Sequence, residues 1–308
     1  MKLPSNYLNG FICIIELIKS IDLSIFLSFS EWVTVVAGGF TDDRVTAKAI
    51  MYRNGRTVAL PDLPHPLSAA SLMVYKDKVR LCGGYFKRSH HSKDCFQLSI
   101  FNALSKWEKT AELPFEMYAR MTVQVLDQMW VFYDSDIYVM KQTGRAKVIK
   151  WPHDTVSHYS CAQSNGVVTV IIPDKSRHVY INSDATWPGS WTIHATLPTG
   201  LHRRSCLMIG SLFYVTGGNN GATYSKETYV IDIEERERVT RVGDLLTARH
   251  SHTMGVIDGA AAVFGGWNVI KYFDDTEIFH TNTNKWHASD IKMVEPSGDI
   301  AAVSFAVN

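Results

Sequence analysis

Ala261-Ala262-Val263-Phe264-Gly265-Gly266 is the centre of a segment that runs from Ser251 to Ser289 and reads as four short strands. Ser251 to Ile257 is the first strand and Ala260 to Phe264 the second. Asp258-Gly259 between them is a strong hairpin signal, because both turn positions need positive φ. Thr276 to Thr281 forms the third strand and Lys285 to Ser289 the fourth, with Thr281-Asn282-Thr283-Asn284 as the turn. An apolar run that stops at a Gly pair is uninformative once and informative when it recurs.

It recurs three more times. Val33-Thr34-Val35-Val36-Ala37-Gly38-Gly39, Val79-Arg80-Leu81-Cys82-Gly83-Gly84 and Phe213-Tyr214-Val215-Thr216-Gly217-Gly218 have the same form. Gly39 to Gly84 is 45 residues and Gly218 to Gly266 is 48, so the gap between Gly84 and Gly217 holds two more units. Met129-Trp130-Val131-Phe132-Tyr133 and Val167-Val168-Thr169-Val170-Ile171-Ile172 fill it, each followed by an acidic turn, at Asp134 and Asp174, in place of the glycines. Six evenly spaced strands of one kind imply six four-stranded units, with boundaries near residues 65, 114, 152, 199 and 247. Regular short strands separated by turn residues indicate a closed or radial all-β architecture. The glycines are expected where inner strands of neighbouring blades crowd near a central channel and the backbone turns irregularly.

The pattern resembles the kelch repeat. A Gly doublet is followed by an aromatic on the third strand and a Trp near the start of the fourth. Gly265-Gly266, Phe279 and Trp286 fit it, as do Gly83-Gly84, Phe101 and Trp107; Trp191 after Tyr180 is a looser copy. The units of Gly38-Gly39 and Gly217-Gly218 lack the Trp, and the latter has Arg238-Val239 near that place. The resemblance spans residues 31 to 308 and implies a six-bladed β-propeller. The last residues, Asp299 to Val307, look like a first strand with nothing after it, while the first unit starts at Trp32 with a second-type strand. Residues 299–308 are therefore expected to complete the first blade and close the ring.

Residues 1–30 read as a short N-terminal appendage, helical or disordered. Glu16, Lys19 and Asp22 interrupt its apolar stretches, so it is too short for a membrane span and poor as a signal peptide. A cytoplasmic location is expected, with secretion the alternative if that segment directs export. The composition, 46% hydrophobic with a formal net charge of +1, is that of a folded globular chain and offers no general attraction to nucleic acid or membrane. Five cysteines, Cys13, Cys82, Cys95, Cys161 and Cys206, form no CxxC pair, so reduced thiols are expected.

Catalytic chemistry has no readable signature. There is no phosphate loop, GxSxG elbow or HExxH. The pairs His90-His91 and His250/His252 lack a third ligand at readable spacing, so no metal and no cofactor are expected. The expected function is protein interaction, as in the kelch domain of BTB-kelch proteins, which serve ubiquitin ligases as adaptors or bind actin; residues 1–30 have no room for BTB and BACK domains. In a propeller, loops after second strands and before first strands share one rim. Arg120, Arg204 and Arg249 recur at the entry to three first strands, and with Arg203, Lys87 and Arg88 they are expected to form a basic mouth for an acidic segment of a partner protein. Trp267, directly after a Gly pair, is the expected anchor. The alternative is a sugar-active propeller, lectin-like or mutarotase-type, which requires ordered carboxylate or Arg groups in the channel.

Overall fold

A computed structural model describes residues 31–307, apart from residues 77, 88–89, 111, 118–121, 134, 141–145, 152, 154–160, 185–187 and 189. Six four-stranded antiparallel sheets are arranged around one axis. Blade 1 pairs Ala301–Val307, Glu31–Ala37, Ala49–Arg53 and Arg56–Ala59, in that order. Blades 2 to 6 begin with Ser71–Tyr75, Thr122–Val125, Cys161–Ser164, Ser205–Ile209 and Thr253–Ile257. Each of these innermost strands neighbours the next around the ring, and Ala301–Val307 stands between those of blades 6 and 2. All five boundaries read from the sequence fall in the links between blades, and among the described residues there is no helix.

The closing strand lies where the sequence places it. Glu31 to Ala37 pairs with Val307 to Ala301, in the register Val35 to Val303. Backbone pairing removes two strand edges that would otherwise be exposed. A polar bridge locks the seam to blade 6. Thr34 Oγ1 donates to Val256 O at 2.5 Å, and Val256 N donates to Ser304 Oγ at 2.8 Å.

Alternation along each strand divides its apolar side chains between two neighbours. In blade 5, Phe213 and Val215 pack toward blade 4 while Tyr214 packs toward blade 6. The result is six apolar clusters, one at each blade junction. The tryptophans of the repeat lie in these seams. Trp286 Nε1 donates to Thr228 Oγ1 of blade 5 at 3.1 Å, and Trp107 Nε1 donates to Pro61 O of blade 1 at 2.9 Å. Tyr180 and Trp191 are both buried in the seam between blades 3 and 4.

Three readings need correction. In blade 2 the strand register puts Leu98, which is buried, in the place of Phe279; Phe101 is 48% exposed and carries the Arg53 guanidinium 5.2 Å above its ring. The turn from Leu98 to Trp107 is longer than that from Phe279 to Trp286, so spacing from the Trp misplaced the third-strand residue. The cysteines are not all separate thiols. Cys82 and Cys95 are directly opposed on neighbouring strands, Cα atoms 4.1 Å apart, and Cys161 and Cys206 join the inner strands of blades 4 and 5, 6.0 Å apart; both pairs are bonded. Spacing in sequence carries no trace of either, because strand register and blade closure bring them together. Finally, the Gly pairs are crowded at the loop rim rather than by inner strands, the first glycine by the entry segment of the next blade and the second by that of its own blade. A Cβ on Gly38 would meet Leu67 O at 2.2 Å, and Gly39 N donates to that same carbonyl at 2.8 Å. Gly84, Gly218 and Gly266 make equivalent bonds to Met117, Arg249 and Ser297, and Gly83, Gly217 and Gly265 share the positive φ of Gly38.

Candidate functional site: an aromatic rim

The rim is built by one repeated loop. After each intact Gly pair the chain forms a bridge to the residue that enters the same blade's first strand: Ser68 to Tyr85, His202 to Asn219, and His250 to Trp267, with Gly298 to Phe40 across the closure. In three blades a second bridge closes the loop five residues on, Phe40 to Val45, Asn219 to Tyr224 and Trp267 to Tyr272. Each loop is capped from within. Asn220 Oδ1 accepts from Ala222 N and Thr223 N, Asn268 Oδ1 accepts from Ile270 N and Lys271 N, and Thr41 N donates to Arg44 O. Side-chain caps of this kind fix a turn without using the residues at its tip.

The bridges bring half-buried rings into a chain. Tyr85, Phe40, Tyr272, Trp267, His250 and Tyr224 follow one another with centroids between 4.4 and 6.3 Å apart. The arc passes from blade 2 through blades 1 and 6 to blade 5. His250 is buried beneath it, with its ring parallel to Tyr224. Beside the arc, Val269 and Ile270 are 78% and 82% exposed at the loop tip of blade 6. Between that tip and the Gly221-Ala222 tip of blade 5 lies an open groove floored by Tyr224 and Ala248.

The arginines expected at the mouth are placed otherwise. Arg249 is 0% exposed. Its guanidinium donates to Asp275 Oδ1 and Glu277 Oε1, each at 2.6 Å, and to Gly265 O at 2.9 Å, and it lies 4.4 Å over the Phe273 ring. Burial raises the Glu277 carboxyl above its usual value, with Arg249 and the Leu246 and Thr247 amides pulling the other way. Arg204 is also buried and donates to Leu201 O and Ser176 O at 2.6 and 2.7 Å. Burial brings its pKa down to about 10, opposed by Asp174. Both therefore tie blade entries together, Arg249 fully enclosed and Arg204 bordering the central channel; a repeated position beside a blade junction is buried by the junction itself. Arg203 is half-buried and donates to His202 Nε2 at 3.2 Å. Arg120 and Arg88 lie outside the described residues, and Lys87 is described only as the end of the short strand Tyr85–Lys87.

Trp267 is where the sequence reading puts it, on the rim next to its Gly pair. Tyr224 and His250 were missed. The signal for Tyr224 is present in hindsight as a six-residue frame, Trp267 to Tyr272 repeated as Asn219 to Tyr224 and Phe40 to Val45. The central channel is narrow, with about 100 Å³ of space, and its described lining includes Ser71, Thr122, Gln163, Arg204 and Thr253 but no carboxylate. Among the described residues, no three His, Cys, Asp or Glu side chains converge as metal ligands would.

Residues 248–288 match the kelch motif. No curated protein matches the chain. Among solved structures, one titled "Structure of YjhT" superposes with a TM-score of 0.65 at 13% identity, covering 83% of this chain and 97% of that one. At that identity the likeness speaks to the fold alone.

Proposed function

We propose that this kelch-type six-bladed propeller is a protein-interaction module whose partner seats on the aromatic rim. The observation that carries the reading is the arc from Tyr85 to Tyr224, flanked by the exposed pair Val269 and Ile270. Aromatic side chains with one face packed and one face open are the usual energetic anchors of interfaces, since they bury much area at little entropic cost. The loops that hold them are closed by bridges and caps, so little ordering entropy is lost on binding.

The test is affinity capture from the native cell with the whole chain, comparing the wild type with Trp267→Ala and Ile270→Asp by quantitative mass spectrometry. Partners that depend on the rim drop from both variants while the melting temperature stays within a degree or two of wild type. Equal recovery on wild type and both variants refutes the rim as the docking face. The same experiment separates the two settings that the kelch resemblance implies, cullin-ligase adaptor and actin binder, by whether ligase components or actin are recovered.

A further inference from the structure

The aromatic rim has a sign. An acidic partner was the expectation while Arg120, Arg204 and Arg249 stood at the mouth, but Arg204 and Arg249 are buried with their donors directed inward. Of the cations described beside the arc, Arg44 is held by Glu295 at 3.0 Å, Arg203 donates to His202, and Lys271 lies 5.4 Å over the Phe273 ring, while Lys175 and Arg177 are exposed farther round the rim, in blade 4. The acids are placed differently. Asp42 and Asp43 are both exposed at the tip of the blade 1 loop, the counterpart of Val269-Ile270 in blade 6. Tyr272, the middle of the arc, has its hydroxyl held above its usual range by burial first and then by Asp299 and Asp42, with Arg203 opposing. Carboxylates therefore border the open ring faces between blades 1 and 6.

Open Tyr, Trp and Phe faces present the negative side of the ring quadrupole, which attracts an ammonium or guanidinium. Carboxylates within reach strengthen that attraction and repel acidic segments. The chain makes the same pairing within itself, in Arg53 over Phe101 and Arg249 over Phe273. The three loop tips then divide the rim by chemistry: acidic at Asp42-Asp43, apolar at Val269-Ile270, and small at Gly221-Ala222, where the groove opens.

We propose that the rim selects an extended basic segment of a partner protein, with an Arg or Lys over Phe40 and Tyr272 toward Asp42 and Asp43, and an apolar side chain in the groove beside Val269. This rests on the interaction-module reading and adds the charge of the partner to it. The aromatic arc runs across blades rather than along one loop, so a segment of several residues crosses it in an extended form.

The experiment is a selection from a random-peptide phage library on the immobilised whole chain, with Asp42→Lys/Asp43→Lys and Trp267→Ala selected in parallel. The wild type is expected to enrich peptides of net positive charge carrying an apolar residue near the Arg or Lys. The best such peptide, made with a fluorophore and measured by anisotropy, is expected to bind roughly tenfold more weakly to the double-Lys variant and to weaken with added salt. Enrichment of neutral or acidic peptides by the wild type overturns the proposal. So does unchanged affinity in the double-Lys variant. Absence of any enrichment overturns it too, yet leaves the capture experiment free to support a folded-protein partner on the same rim. The two readings therefore fail separately.

Discussion

Removing the Arg249 side chain is predicted to destabilise the ring while leaving the rim chemistry untouched. Arg249→Ala deletes charge-assisted bonds to Asp275 and Glu277 and a bond to Gly265 O. Asp275 is one-third exposed and regains water; the Glu277 side chain is 3% exposed and does not. Breaking a buried pair by removing one partner costs about 3–5 kcal/mol. For a ring of this size each kcal/mol is worth about 2 °C, so the melting temperature should fall by roughly 6–10 °C. The loss should depend on pH in a defined direction. Glu277 already has a raised pKa in the folded chain, and without Arg249 it rises further. A carboxyl raised on folding holds extra protons in the native state, so stability falls as pH rises through the interval between its unfolded and folded values. The defect should therefore be larger at about pH 8 than at about pH 5.5. Calorimetry and urea unfolding at both pH values measure it. Adding Glu277→Leu to Arg249→Met should recover much of the loss, because no orphaned charge remains. A single-variant loss below about 1 kcal/mol, or a double variant less stable than the single, would refute the account of Arg249 as a buried counter-charge.

Deleting residues 299–308 should abolish the cooperative transition, since it strips Glu31–Ala37 of its inner partner and removes Ser304 from the seam with blade 6; circular dichroism showing an unchanged melt would defeat the closure model. Gly217→Ala should cost about 1–3 kcal/mol from positive φ alone, plus a clash with His252 and Arg249 O at 2.4 and 2.6 Å. Gly221→Ala, with nothing near its Cβ, should show only the φ cost, and equal losses would refute the blade-contact argument. Cys161→Ser should lower the stability of the oxidised chain by about 4 kcal/mol for a loop of 45 residues; urea titrations of the oxidised wild type and variant measure the difference, and equal stabilities would refute it. Amide exchange should be faster over residues 114–198, whose units lack Gly pairs, than around Gly217 and Gly265; uniform protection around the ring counts against it.

Repetition made the fold legible. Six apolar runs at an even spacing, four of them ending in Gly-Gly, specify strand, turn and unit length locally, and the unmatched first strand at residues 299–308 specifies closure. Local chemistry suffices there because every unit makes the same contacts with its neighbour. The tertiary structure alone decided which repeated side chains face a neighbour and which face solvent. Arg204 and Arg249 occupy a periodic position, but periodicity cannot distinguish the mouth from the seam beneath it, and the seam supplies the carbonyls and carboxylates that bury them. Cys161 and Cys206 meet only because consecutive blades place their inner strands side by side. The aromatic arc likewise draws its members from four blades, over residues 40 to 272, and its order is spatial. A strand's own residues encode its pairing and its two faces; which neighbour each face meets depends on closing the ring, and that closure is a property of all six blades together.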